Sequence, residues 1–173
     1  MNSIAPIHSS TIARQRNCPC FLIFAVCALI LAMVTACGPS APTVNPVKSI
    51  EPGALKELIH ADGYTGFLVA FAAWCPPCKA ELPDLVALYR AYKDKGIQIV
   101  GMSLDENPEA AQPLVNRLGV PFPVYWVGTP AMNDYGIVGV PTLMVVKAGK
   151  IVEKRPGRQS YRELERKIEA LLD

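Results

Sequence analysis

The sequence predicts an α/β domain of three layers, a parallel strand–helix unit followed by an antiparallel edge, and three observations predict it. Strand-like and helix-like segments alternate through the middle of the chain. The run Phe67 to Ala73 is apolar throughout, as a strand covered on both faces of a parallel sheet must be. Near the end, two short apolar runs flank Ala148-Gly149 and precede an amphipathic helix, the pattern of a hairpin and its cover.

Each element has its own local signal. Glu51 to Ala61 carries Leu55, Leu58 and Ile59 at helical spacing after Pro52 and predicts a short first helix. Phe67–Ala73 is the first long strand, and it runs directly into two cysteines. From Pro76 to Lys95 the residues Leu82, Leu85, Val86, Leu88, Tyr89 and Tyr92 recur at three and four, predicting a long helix bent at Pro83. Ile97 to Met102 reads as a second buried strand. Asn107 to Leu118 opens with Pro108, Glu109 and Ala110, the start signals of a helix, and Phe122 to Val127 reads as a further strand. Thr142–Val146 and Ile151–Lys154 form the hairpin. Ser160 to Leu172 places Leu164, Ile168, Leu171 and Leu172 on one side of a closing helix. The order of connections makes the early strands parallel and the hairpin an antiparallel edge.

Composition locates what lies outside this domain. Hydrophobic residues are 51% of the 173 and charged residues 18%, and the apolar excess sits at the front. Residues 1–20 hold Arg14 and Arg16 and no acid, and Phe21 to Val34 is apolar throughout, the layout of an export signal. Phe21 to Ala36 is shorter than the roughly 20 residues that span a bilayer core, so cleavage is favoured and an uncleaved membrane anchor stays as the alternative. Val34-Thr35-Ala36-Cys37 resembles the lipobox of bacterial lipoproteins, which implies a signal peptide over 1–36, cleavage before Cys37 and lipidation of that cysteine. Gly38 in place of an aspartate after it suits outer-membrane sorting. Pro39, Pro42 and Pro46 among small polar residues make 37–47 a flexible tether, and the folded domain occupies 48–173, enough chain for one core. Beyond the leader the basic and acidic residues balance at 15 each, so no electrostatic footprint for nucleic acid exists.

Cysteine arithmetic then isolates the chemistry. Cys18, Cys20 and Cys27 lie in the leader and Cys37 would be consumed by lipid, which leaves Cys75 and Cys78 in the domain with His60 as the one further imidazole donor. A disulfide framework needs more bridges and tetrahedral zinc needs four ligands, so the pair acts by itself, and no metal or organic cofactor is required. In Trp74-Cys75-Pro76-Pro77-Cys78 the strand-to-helix junction places Cys75 at the helix N-cap and Cys78 at the third helical position. Free amides and the helix dipole favour a thiolate there, which makes Cys75 the attacking sulfur and Cys78 the resolving one. Pro76 and Pro77 stiffen the loop and leave the Cys78 amide as the main local donor to the Cys75 sulfur. His60 reads as a surface side chain, Lys79 as solvent-facing, and Met102, Met132 and Met144 as core.

Taken with Glu81 and Pro83 in Cys-Lys-Ala-Glu-Leu-Pro, the run Met102-Ser-Leu-Asp-Glu-Asn-Pro108 and Gly139-Val-Pro-Thr142, the cysteine motif makes residues 49–172 resemble the TlpA/ResA group of thioredoxin-like, membrane-attached thiol:disulfide oxidoreductases. The resemblance implies a thioredoxin-like fold with an extra helix and strand between Asp105 and Val127. It implies a cis peptide bond before Pro141, Val140 pairing its backbone with a bound substrate strand, Trp74 with Pro76 and Pro77 at the lip of the substrate surface, and Glu81 exchanging protons with Cys78. Ordinary thioredoxins carry a buried aspartate where Val69 stands, so Glu81 is expected to be the only acidic group near the thiols.

These residues predict an exported, lipid-anchored thiol:disulfide exchange enzyme. The proline-only loop and Glu81 point to a reductase, and the resemblance implies substrates such as the haem-binding cysteines of apocytochrome c and a membrane partner that donates electrons. Two alternatives stay open: a disulfide-introducing oxidase, and a copper-binding or metallochaperone protein using the same two sulfurs, against which the absence of clustered methionines counts. A purely adhesive lipoprotein is a third.

Overall fold

The computed structural model describes residues 45–61 and 63–173. The leader, Cys37 and the tether up to residue 44 lie outside the described residues. In chain order the elements are β1 (Lys48–Ser49), α1 (Pro52–Ala61), β2 (Gly66–Phe71), α2 (Pro76–Tyr92) with a 3-10 turn at Lys93–Lys95, β3 (Gln98–Ser103), α3 (Pro108–Leu118), β4 (Val124–Trp126), α4 (Ala131–Tyr135), β5 (Thr142–Lys147), β6 (Lys150–Pro156) and α5 (Tyr161–Leu172).

The six strands form one mixed sheet in the order β1-β4-β3-β2-β5-β6. Strands β1, β4, β3 and β2 run parallel, with Phe67 opposite Ile99 and Met102 opposite Tyr125, while β5 and β6 are antiparallel to what precedes them, with Val69 opposite Leu143. The predicted parallel unit with an antiparallel edge is therefore the observed topology, and the fold is thioredoxin-like. The inserted helix and strand are α3 and β4.

Pleating divides the core into two halves, because successive side chains of a strand face opposite ways. Phe67, Val69 and Phe71 of β2 pack against Leu82, Leu85 and Leu88 of α2, Leu114 and Val115 of α3, and Leu164 and Ile168 of α5. Leu68 and Ala70 face the other way, onto Leu55 and Ile59 of α1 and Tyr135 of α4. Helices thus cover both faces of β2, and this is why Phe67–Phe71 is buried at every position. At the start of that strand Gly66 is required sterically, since a Cβ there would meet the Gln98 carbonyl oxygen across the ladder.

Four expectations need correction. The strand predicted to run to Ala73 ends at Phe71, because the Cys75 amide turns back onto the Ala72 carbonyl (3.1 Å) and the Ala73 amide leaves the ladder for a side chain. Leu172 and Leu58 lie on the predicted apolar stripes and are nevertheless exposed at the stripe edges. The five-residue helix α4 was not expected, being too short to show a periodic pattern. Finally, the tether does not extend to residue 47. Asn45 donates to the carbonyls of Val120 and Phe122 (3.0 and 2.6 Å), and the Gln112 side chain pairs with both the Val47 amide and the Asn45 carbonyl. The proline content around Pro46 marks an extended segment, and here it is docked by hydrogen bonds rather than solvated.

Candidate active site

The site forms where β2 hands the chain to α2. Cys75 has extended backbone angles (φ −84°, ψ 112°) and is the N-cap, with Pro76 and Pro77 in the first helical positions. Those two residues have no amide hydrogen to contribute, and the next amide, that of Cys78, donates to Cys75 Sγ at 3.3 Å. The two sulfurs are joined as a disulfide with the Cα atoms 5.3 Å apart. Both cysteines are buried beneath the exposed Pro76 and Pro77, and Trp74, 67% exposed, stands beside them.

On the far side of the sulfurs lies the loop before β5. Its Val140–Pro141 bond is cis, and the Val140 carbonyl oxygen is 3.6 Å from Cys75 Sγ. The Thr142 hydroxyl donates to the Gly139 carbonyl (2.6 Å) and ties the loop to the start of β5. The structure therefore brings Trp74, Cys75, Pro76, Pro77, Cys78, Val140 and Pro141 to one edge of the domain, although Pro141 is 63 residues beyond Cys78 in sequence. Val69 packs in the apolar core, as its side chain dictates.

Glu81 is one helical turn past Cys78 and is 1% exposed. Its Oε1 accepts the Gln159 backbone amide at 2.6 Å. Burial raises its pKa from the ordinary 4.5 to about 7; the Gln159 amide and the Arg158 guanidinium pull the other way, and Asp84 adds to the rise. A buried carboxyl titrating near neutrality, one turn from a cysteine, can take and return a proton under working conditions.

Glu81 is not the only acid here, which corrects the expectation from Val69. Asp105, also 1% exposed, accepts the Ala73 amide with both carboxylate oxygens (3.0 and 3.1 Å) and the Ser103 hydroxyl at 2.9 Å. Its own carbonyl takes the Trp126 indole N–H at 2.8 Å. Asp105 thus fixes the turn that carries Trp74 and Cys75. Its position just past β3, in the Ser-Leu-Asp segment, was the available signal, but an aspartate after a strand ordinarily reads as a solvated turn residue. Among the described residues no group of three or more His, Cys, Asp and Glu side chains is arranged to hold a metal ion.

Comparison with known proteins agrees with this geometry. The profile of the AhpC/TSA family matches residues 43–155. The chain is 36% identical over 130 residues to the thiol-disulfide oxidoreductase ResA of Bacillus thuringiensis, covering 74% of each chain. It is 34% identical over 149 residues to the thiol:disulfide interchange protein HelX of Rhodobacter capsulatus, covering 82% of this chain and 80% of that one. Among solved structures, a putative thiol:disulfide interchange protein DsbE from Chlorobium tepidum superposes with a TM-score of 0.62 at 28% identity, over 67% of this chain and 85% of the other.

Proposed function

We propose a function that proceeds from one premise: the chain belongs to the AhpC/TSA family and is a thioredoxin-fold thiol:disulfide oxidoreductase. On that premise it is an exported reductase of protein disulfides, held at a membrane by lipid on Cys37. The reductive cycle begins with the Cys75 thiolate attacking one sulfur of a substrate disulfide. A Cys75–substrate bond forms and the other substrate sulfur leaves as a thiolate. The Cys78 thiol then gives its proton to the Glu81 carboxylate and attacks Cys75 Sγ. The Cys75–Cys78 disulfide closes, the second substrate thiolate leaves, and two electrons have passed to the substrate. A membrane dithiol partner returns the electrons. Val140 and Pro141 present backbone to the incoming substrate strand, and Trp74 with Pro76 and Pro77 forms the lip it crosses.

One observation carries the direction. Among the described residues only the Cys78 amide donates to the Cys75 sulfur, because prolines occupy the two positions between. Strong oxidants of this fold stabilise their reduced thiolate heavily; a sulfur with one backbone donor and a buried carboxyl nearby is stabilised less, which favours the disulfide and makes the dithiol a reductant. Export rests on the leader layout and on likeness to ResA and HelX, and exported cysteines such as those of apocytochrome c are the substrate class that fits.

Equilibration of the Cys75–Cys78 couple with redox buffers tests the direction, with an expected potential on the thioredoxin side, about −270 to −200 mV. A value near about −120 mV would make the protein an oxidase instead. In cells, Cys78→Ser should accumulate a mixed disulfide through Cys75 whose partner mass spectrometry identifies, and the same trap should fail in Cys75→Ser.

A further inference from the structure

Two groups that touch the exchange reaction, Glu81 and the cis-proline loop, are 60 residues apart in sequence and share no direct hydrogen bond. They are joined by a third segment. Between β6 and α5 the Gly157 amide donates to the Pro141 carbonyl at 2.8 Å, and two residues later the Gln159 amide donates to Glu81 Oε1 at 2.6 Å. The Gln159 side chain closes the segment on itself by donating to the Gly157 carbonyl (3.0 Å), and Arg158 reaches Asp84 of α2 at 3.5 Å. Gly157 has φ +83°, a conformation that side-chain-bearing residues seldom adopt, so the glycine lets one short turn aim two amides at two different targets.

We infer that Gly157, Arg158 and Gln159 form a strap that couples the protonation of Glu81 to the Val140–Pro141 substrate platform, so that a proton arriving on Glu81 loosens the platform and releases product. The inference rests on the reading that Glu81 takes the Cys78 proton. An amide donating to a carboxylate makes a charge-assisted bond about twice as strong as one donating to a neutral oxygen. While Glu81 is charged the strap is held at both ends, and Pro141 is fixed through Gly157. When Cys78 closes the disulfide and its proton moves to Glu81, the Gln159 bond weakens at the moment when the reduced substrate must leave. Gly157 and Gln159 are in this sense positioning residues; they touch neither sulfur nor proton.

Among the described residues the charged and titratable groups that face Glu81 are few. Cys78 lies one turn before it, Asp84 one turn after it on α2, Arg158 on the strap itself, and Tyr161, at the start of α5, stands beside Asp84. Burial places the Glu81 titration near pH 7.

The test is an NMR pH titration of the full-length chain, labelled with 15N and 13C, in detergent micelles. The Gly157 and Gln159 amide shifts should move with one midpoint, shared with the Glu81 carboxyl carbon near pH 7, and all of that movement should vanish in Glu81→Gln. A Gly157 amide that stays still while Glu81 titrates, or that titrates unchanged in Glu81→Gln, overturns the strap. Gln159→Pro, which deletes the amide, supplies a kinetic arm: KM for a disulfide-bonded peptide should rise about tenfold and lose its dependence on pH between 6 and 8. An unchanged KM and pH profile overturns the strap as well. If Gln159→Pro does not fold, the titrations of the unmodified chain and of Glu81→Gln decide the matter. Failure of the exchange reading is separate, since it would appear as no Cys75-dependent cleavage of the peptide in the unmodified chain.

Discussion

The two buried carboxylates that flank the cysteine turn are equally withdrawn from solvent and differ in everything else. Asp105 binds the chain just before the pair, has both oxygens on the Ala73 amide and a hydroxyl besides, and holds backbone. Glu81 follows the pair, receives one amide among the described residues, and has its pKa raised to about 7. Donor count separates the roles. The Asp105 carboxylate, with an amide and a hydroxyl on it, holds backbone, whereas the Glu81 carboxyl, with one amide, has its pKa raised chiefly by burial.

The largest expected effect removes the group both carboxylates serve. Cys75→Ser should abolish exchange with any protein disulfide, measured by the loss of substrate thiol release, while leaving Asp105 and Glu81 in place. A variant that still exchanged would mean that neither acid works for Cys75.

Next comes Glu81→Gln, which should slow resolution of the mixed disulfide by about 100-fold, the lower range for a lost proton-transfer group, as followed by stopped-flow release of substrate. The same substitution has a stability signature with a definite sign. Because the folded-state pKa is raised from 4.5 to about 7, the native protein holds a proton that the unfolded chain has released between those values. Glu81 therefore contributes stability that is fully present below about pH 4.5 and is lost as pH rises to and through 7. At about 1.36 kcal/mol per unit this is on the order of 3 kcal/mol. Urea midpoints measured against pH should fall across that window in the unmodified protein and flatten in Glu81→Gln, so that the variant is the more stable of the two at pH 8 and not at pH 4. A parallel fall in both proteins would sink the assignment.

What the sequence made legible divides along the same line as the two acids. Local features were readable: the N-cap at Cys75, the strand covered on both faces at Phe67–Phe71, the hairpin around Ala148-Gly149, and the parallel-then-antiparallel order follow from periodicity and turn chemistry within a few residues of each other. Glu81 was readable because it shares a helix with Cys78, where spacing fixes proximity. Asp105 was not, because its partner Ala73 is 32 residues away and no local pattern distinguishes a carboxylate aimed at backbone from one aimed at water. The strap was hidden for the same reason, with Gln159 meeting Glu81 across 78 residues. Asn45 likewise sits in a segment whose composition reads as solvated, and only its partners at Val120 and Phe122 show that it is docked.

Removing the anchor sharpens the contrast from the other side. Asp105→Ala strands the Ala73 amide and the Ser103 hydroxyl in the interior, and unsatisfied buried donors of this kind cost about 1–3 kcal/mol each. The loss in chemical denaturation should be about 3 kcal/mol. Asp105→Asn retains an acceptor for the amide and should recover part of it. If Asp105→Ala instead moved the pH profile of mixed-disulfide resolution, Asp105 would share the proton-exchanging role now given to Glu81 alone.

The smallest effect asks whether the anchor can lose a donor without changing its task. Ser103→Ala deletes one of the three contacts to the Asp105 carboxylate and leaves both Ala73 distances in place. The same hydroxyl also accepts the Asp105 amide at 3.4 Å, and at about 1 kcal/mol for each of the two hydrogen bonds the loss lowers Tm by about 4–8 °C for a folded part of this size. The potential of the Cys75–Cys78 couple should not move, because the turn that presents Cys75 is still held by two oxygens. A shifted potential at so small a cost in stability would mean that the sulfur senses the charge distribution on Asp105 and not merely the turn it fixes, and the distinction between anchor and proton carrier would then be one of degree.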